Sequence, residues 1–379
     1  TQEGKPGKGG KYMPSPFKFS KHGKSGIPMS EIYPHLGTVA DDLCVIRSMH
    51  TTTPNHEPGL LMMNSGAQQP VRPSIGSWIT YGLGTENQNL PGYVVLCPGK
   101  PVVGPALWGN SFLPGIFQGT HINNSKIDPT KVIGHLKNNN LTPTAQKRFL
   151  ALLQAANRKH LKDRDNDASL DARIQSLEIA FRMQFEAQDA FDISRETEAT
   201  RTAYGKGQFA DGCLIARRLV ERGVRFVQLY SGGGHQQQNW DAHNGVDENL
   251  KIHCPEVDRP IAGLLADLEQ RGLLEETLVI WGGEFGRQPV YQGGNGGRDH
   301  NPKGFTYWMA GAGVKAGADY GETDELGHEA VVNRHHIRDL HATILHLMGL
   351  DHKELTYFHS GRDFRLTDVF GKVLTDIVA

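Results

Sequence analysis

The chain has 379 residues, enough to bury a sizeable core in one large α/β domain or two smaller ones. Its 40 Lys and Arg nearly cancel its 41 Asp and Glu, so no overall field recruits nucleic acid or an anionic membrane surface. No run approaches the roughly 18 consecutive apolar residues of a membrane span. Cys44, Cys97, Cys213 and Cys254 are too scattered for a disulfide framework, and read as buried small side chains.

From the start, "TQEGKPGKGGKYMPSP" shows no apolar run of the kind an export signal carries. "DLCVIRSM" (42–49), "GYVVLC" (92–97), "VRFVQLY" (224–230), "TLVIWG" (277–282) and "FTYWMAG" (305–311) are short apolar runs bounded by Gly or Pro. Strands buried on both faces of a parallel sheet have this pattern. Residues 142–204 interrupt the rhythm with a charged stretch, glycine-free as far as Phe191, which reads as a helical insertion on a single α/β domain spanning 1–379. "DRPIAGLLADLEQRG" (258–272) has Leu264, Leu265 and Leu268 at helical spacing, with Gly272 as its stop. Near the C-terminus, "HHIRDLHATILHLMGLD" is a helix with Asp339 as N-cap, His341 and His346 on the solvent side and Gly349 as the stop. "GRDFRLTDV" is a strand and its turn, with Asp363 a structural carboxylate.

In an open parallel sheet, ligands collect beyond the carboxyl ends of the strands, and polar groups gather at such places here. "LYSGGGHQQQNWDAHNG" puts His235, Asp241 and His243 after one strand. "VIWGGEFGR" puts Glu284 two glycines after another, Thr51 and Thr52 follow a third, and "GRDHNP" contributes Asp299 and His300 from a Gly-rich loop. Each alone is more often a cap or a turn former. Together, Asp-x-His, Glu and Asp-His at successive strand ends point to a metal site, and mixed carboxylate and imidazole donors suit Zn²⁺, Mn²⁺ or Fe²⁺. His235 is open between a supporting donor and a loop residue.

"SMHTTTPNHEPG" (48–59), "NWDAH" (239–243), "VIWGGEFGR" (279–287), "GRDHNPKGF" (297–305), "RDLHATILHLMGLD" (338–351) and "GRDFRLTDV" (361–369), in this order, resemble the DUF1501 family, over nearly the whole chain. That family, abundant in planctomycetes, is assigned to the alkaline phosphatase-like superfamily that includes sulfatases and nucleotide pyrophosphatases. The resemblance implies a three-layer αβα core with a mostly parallel sheet, and a two-metal site for in-line hydrolysis of phosphate or sulfate esters. Asp241 and His243 resemble the pair on the first metal, and His300 resembles the late histidine that returns to it. Glu284 stands in a ligand position, and Asp299 and His56 join the candidate ligands. Zinc or manganese is implied, with calcium a further option. Thr52, in "T-x-P-N-H", resembles a pyrophosphatase nucleophile, whereas the family pattern favours Thr51. Arg287 is either a partner for a non-bridging oxygen or a surface residue. No Cys stands at the nucleophile position, which disfavours a formylglycine sulfatase. The resemblance also implies an upstream first strand carrying one more ligand, and a twin-arginine signal that sends the protein to the periplasm. The competing expectation is a degenerate, non-catalytic metal-binding member that holds a glycan or another anionic ligand.

Overall fold

The computed structural model describes residues 11–128, 141–165, 167–232, 239–292 and 296–379. Within them the chain is mixed α/β with several sheets, some of them parallel. All five expected strands form, as Leu43–His50, Tyr93–Leu96, Phe226–Leu229, Val279–Trp281 and Phe305–Ala310. They do not share one sheet. Leu43–His50 is the spine of a five-stranded sheet, with Ala318–Tyr320 on one side, Phe305–Ala310 on the other and His335–His336 at its C-terminal end; Val279–Trp281 follows Phe305–Ala310. Tyr93–Leu96 is the middle of a separate three-stranded parallel sheet, between Thr120–Ile122 and Phe226–Leu229.

Phe305–Ala310 runs antiparallel to both its neighbours, so the larger sheet is less parallel than expected. Between Trp281 and Phe305 the described chain has only the short strands Gly286–Arg287 and His300–Asn301. With no crossover helix there, the chain returns antiparallel. Two apolar strands are left with one neighbour each among the described residues, Phe226–Leu229 and Val279–Trp281. Both are only half-buried, whereas Tyr93–Leu96 is buried throughout.

One core fills the face under Leu43–His50 and joins Met49, Met62, Trp78, Tyr307 and Leu340. Residues 142–204 form helices Pro143–Lys162, Ala168–Phe191 and Glu198–Tyr204. Ala187, Ala190 and Phe191 pack into the same cluster as Val94, Leu96, Ile122 and Ile215, which anchors this region on the three-stranded sheet. All four cysteines are buried and free.

The helix expected over 258–272 is longer, Val246–Gln270, and contains Pro255 and Pro260. It does end before Gly272, at φ 67°. Asp258 lies inside it, where its carboxylate accepts the backbone N–H groups of His35 and Leu36. Asp339 is not the N-cap of the helix Ile337–Leu347: His336 is, and Asp339 closes a capping box by accepting the His336 N–H at 2.9 Å. Gly349 is the left-handed stop, at φ 76°. His346 is exposed as expected and Asp363 lies on the exposed hairpin strand Arg362–Phe364. His341 is not on the solvent side. It is 2% exposed, its Nε2 donates to Met63 O at 2.7 Å, and its Nδ1 is buried without a partner.

Burial therefore pushes the His341 pKa down to about 4. In the unfolded chain this ring takes up a proton near pH 6.5, and in the folded chain only near 4. Its contribution to stability is intact above pH 6.5 and falls away between 6.5 and 4, by about 3 kcal/mol at most. His341→Gln, which keeps a donor toward Met63, is expected to flatten that part of the urea-denaturation profile relative to the parent. An unchanged pH slope would place the acid sensitivity elsewhere.

Candidate metal centre

The strand Leu43–His50 leaves the sheet at Thr51, whose N–H is fixed by Pro302 O at 2.8 Å. Pro54 disfavours helical geometry just before it, so the helix begins only at His56, after an extended Asn55. His56 thereby sits at the helix start, facing the loop that follows Val279–Trp281. Gly59 is what lets that loop approach. A Cβ there would lie 3.1 Å from Glu284 Cγ and 3.3 Å from the Phe285 ring. In the short antiparallel ladder beyond, Arg287 is directly opposite His300. The loop holding Asp241 and His243 closes over this ladder. Gly297 fits beneath it because an added Cβ would fall 1.7 Å from His243 O.

Three imidazoles converge on one carboxylate. Each turns its Nδ1 to an acceptor: His56 to Glu284 Oε1 at 2.6 Å, His243 to Gln292 Oε1 at 2.5 Å, and His300 to Pro54 O at 2.5 Å. Assigned from these partners, Nδ1 carries a proton, and Nε2 is left either to carry a second one or, in a neutral ring, to present a lone pair. All three Nε2 atoms face Asp241. His56 lies 3.2 Å from Oδ2, and His243 and His300 lie 2.9 and 3.0 Å from Oδ1. Lone pairs aimed at a carboxylate repel it unless a proton or a cation lies between them. His56 Nε2 is buried and out of line for a hydrogen bond.

The electrostatics agree. Burial disfavours a charged His56, but its close contacts with the Asp241 and Glu284 carboxylates outweigh that and raise it to about 9. Burial likewise opposes ionisation of Asp241, yet His300, His56 and Arg287 hold it well below the usual carboxylate range. The site thus draws in positive charge, which a divalent cation supplies while displacing a proton.

Donor atoms of His56, Asp241 and His300 lie within 4.8 Å of one another, as do those of His243, Asp299 and His300. The donor set therefore fits a metal with mixed imidazole and carboxylate ligands. Asp299 also accepts the His300 N–H at 2.8 Å, and stays half-exposed. Glu284 is in the cluster but stands behind His56, outside both donor groups. Arg287 is neither free nor a surface residue: it donates to Asp241 Oδ1 at 2.6 Å and to the carbonyls of Arg298 and Trp240.

The two threonines differ. Thr51 is 6% exposed and its hydroxyl is buried without a partner. Thr52 is exposed, and its hydroxyl accepts from the Gln68 amide at 2.7 Å. His235 lies outside the described residues. Sequence reasoning missed Gln292, which gives no signal beyond lying in a polar loop. It also missed Phe285, which stacks 5.0 Å from His56 and 4.4 Å from His300 and is named only as a neighbour of Glu284.

Residues 1–378 match the family described as "Protein of unknown function (DUF1501)". No curated protein matches the chain in sequence. In structure it is similar to the crystal structure of Ps i-CgsB in complex with k-i-k-neocarrahexaose, at 10% sequence identity and a TM-score of 0.41, over 84% of this chain and 67% of that one.

The turn that delivers Glu284 depends on Gly282, where an added Cβ would lie 2.2 Å from the buried Tyr307 ring, while at Gly283 the nearest atom is 3.9 Å away. Gly282→Ala is expected to cost about 2–3 kcal/mol in urea unfolding, and Gly283→Ala less than about 1 kcal/mol. Equal costs would show that the Tyr307 ring does not set the turn.

Proposed function

The chain belongs to the DUF1501 family, and we propose that it is a metal-dependent hydrolase of phosphate or sulfate esters, of the alkaline phosphatase-like kind. The observation that carries this reading is the set of three Nε2 atoms turned onto Asp241. His56, Asp241 and His300 would hold one ion, and His243 with Asp299, sharing His300, would hold or border a second. Zinc or manganese suits those donors. A bound cation would stabilise the charge on the transferred group and lower the pKa of a hydroxyl in contact with it.

The protein's own groups do the rest. Glu284, Pro54 and Gln292 fix the imidazole orientations. Arg287 holds Asp241 in place through one side-chain and two backbone contacts. Thr51 is our choice of nucleophile, because its hydroxyl is spent on no other partner, whereas that of Thr52 is engaged by Gln68. The ester bond to the leaving alcohol breaks as the bond to the threonine oxygen forms, and water then releases the acid. On the same reading, Phe226–Leu229 and Val279–Trp281, each half-buried and paired on one side among the described residues, offer edges on which a further strand would pair. Residues 142–204 are then an insertion within one domain, supported by their packing into its core.

A second reading, a metal-binding member without turnover that holds a glycan or another anionic ligand, is favoured by one observation: Arg287 already gives three of its hydrogen bonds to Asp241, Arg298 O and Trp240 O rather than holding them for a substrate oxygen.

Bound metal per purified chain should fall in Asp241→Ala and in His300→Ala; unchanged stoichiometry in both would overturn the metal assignment. On aryl phosphate and sulfate esters with added Zn²⁺ or Mn²⁺, Thr51→Ala should lose kcat by a factor on the order of 100 or more, and Thr52→Ala far less. Equal residual activity would remove both as nucleophile. Metal binding with no turnover of any ester would select the second reading.

A further inference from the structure

Away from the histidines, a second cluster of charge is unbalanced. Arg72, Arg338 and Arg362 gather around Asp368. Arg72 lies 3.6 Å from one carboxylate oxygen and Arg362 lies 3.9 Å from the other, both longer than a charge-assisted hydrogen bond. Arg338 joins them through Phe370, two residues along the chain from Asp368, and its charge interacts with Asp368 and Arg72. Three guanidinium groups thus share one carboxylate.

The cations are held in place by aromatic rings. Arg72 lies 4.4 Å and Arg362 3.9 Å from the centre of the Phe364 ring, and Arg338 lies 4.4 Å from that of Phe370. Arg338 Nε is anchored on Gly66 O at 2.9 Å. Neither the Arg72 nor the Arg362 side chain donates a hydrogen bond to any described residue. Arg72 is nonetheless largely buried, its side chain 17% exposed, so it gives up water without gaining protein acceptors. Burial and the neighbouring Arg362 press against its charge, with only Asp368 in support. Asp368 is itself held at φ 52°, a conformation that non-glycine residues seldom adopt. A cluster serving the fold alone would match its charges. This one fixes rigid, planar donors and leaves them unspent, the arrangement that recognises a phosphate or sulfate group.

We propose that Arg72, Arg338 and Arg362 form an oxyanion-binding site, which takes a sulfate or phosphate group either as the free ion or as a substituent on a larger ligand. Gln68, which donates to Thr52, shares with Arg72 the loop after the helix His56–Ser65. The oxyanion site does not rest on the hydrolase reading.

The test is titration calorimetry at low ionic strength with inorganic sulfate, inorganic phosphate and a sulfated disaccharide. The Arg72→Gln/Arg362→Gln variant should weaken sulfate binding at least tenfold. Asp368→Asn removes the competing carboxylate and keeps a residue that tolerates its backbone geometry, so it should tighten binding severalfold, a gain that damage to the fold would not produce. With EDTA present in every titration, so that no metal at the histidine cluster can bind the anion, His300→Ala should leave sulfate binding unchanged. Tighter binding of the disaccharide than of sulfate assigns the site to a ligand-borne group, and equal binding assigns it to the free ion. Absence of saturable sulfate binding in the parent, equal binding in the double arginine variant, weaker binding in Asp368→Asn, or loss in His300→Ala would each overturn the proposal.

Discussion

Asp241 gathers four nitrogen-bearing side chains, three of them on its Oδ1 alone. One guanidinium and three imidazoles press on its two oxygens, and each ring is already committed on its far side to another acceptor. Such an arrangement holds only if positive charge sits at its centre, whether as protons or as an ion. Much of the surrounding structure serves to keep these groups together. The ladder between Arg287 and His300, the helix start at His56 and the tight fit at Gly297 each bring one group to within about 3 Å of the carboxylate.

The scaffold beneath is fastened by charge as well as by apolar packing. The helix Val246–Gln270 starts three residues after His243, and Asp267 near its far end binds the buried Arg217 at 2.9 Å. Arg217 is 1% exposed and also meets Glu196 at 2.8 Å and Glu221 at 2.7 Å. Removing one partner of such a buried set leaves a charge without compensation, which is far more costly than the set's net contribution to stability. The Glu196 contact links residues 142–204 to the helices that orient the Asp241 loop.

The fold class and the strands were legible because apolar runs bounded by Gly or Pro can be read locally. Their pairing was not, since whether Phe305–Ala310 runs parallel or antiparallel depends on what lies between it and Trp281, not on its own residues. Candidate ligands were legible by residue type and by place at strand ends. Their division of labour was not: that Glu284 backs His56 rather than joining the donor groups depends on which imidazole nitrogen it meets. Local helical spacing put His341 on the solvent side, but its neighbour Met63 is distant in sequence. That Arg287 reaches Asp241 was not legible either, because it depends on the register that sets Arg287 opposite His300.

That register has a consequence for how such chains can vary over evolutionary time. Arg287 and His300 belong to strands of two residues each. Changing the length of the intervening loop costs little in chain entropy, about 0.6 kcal/mol for each doubling. A slip of one residue in the ladder, by contrast, turns the side chain on the slipped strand to the opposite face and parts Arg287 from His300, so that one of the two is lost to Asp241. Insertions and deletions can therefore accumulate in this loop only where they leave Arg287 opposite His300 and keep Gln292, Gly297 and Asp299 in their places, so that relatives would differ in its length while agreeing in register.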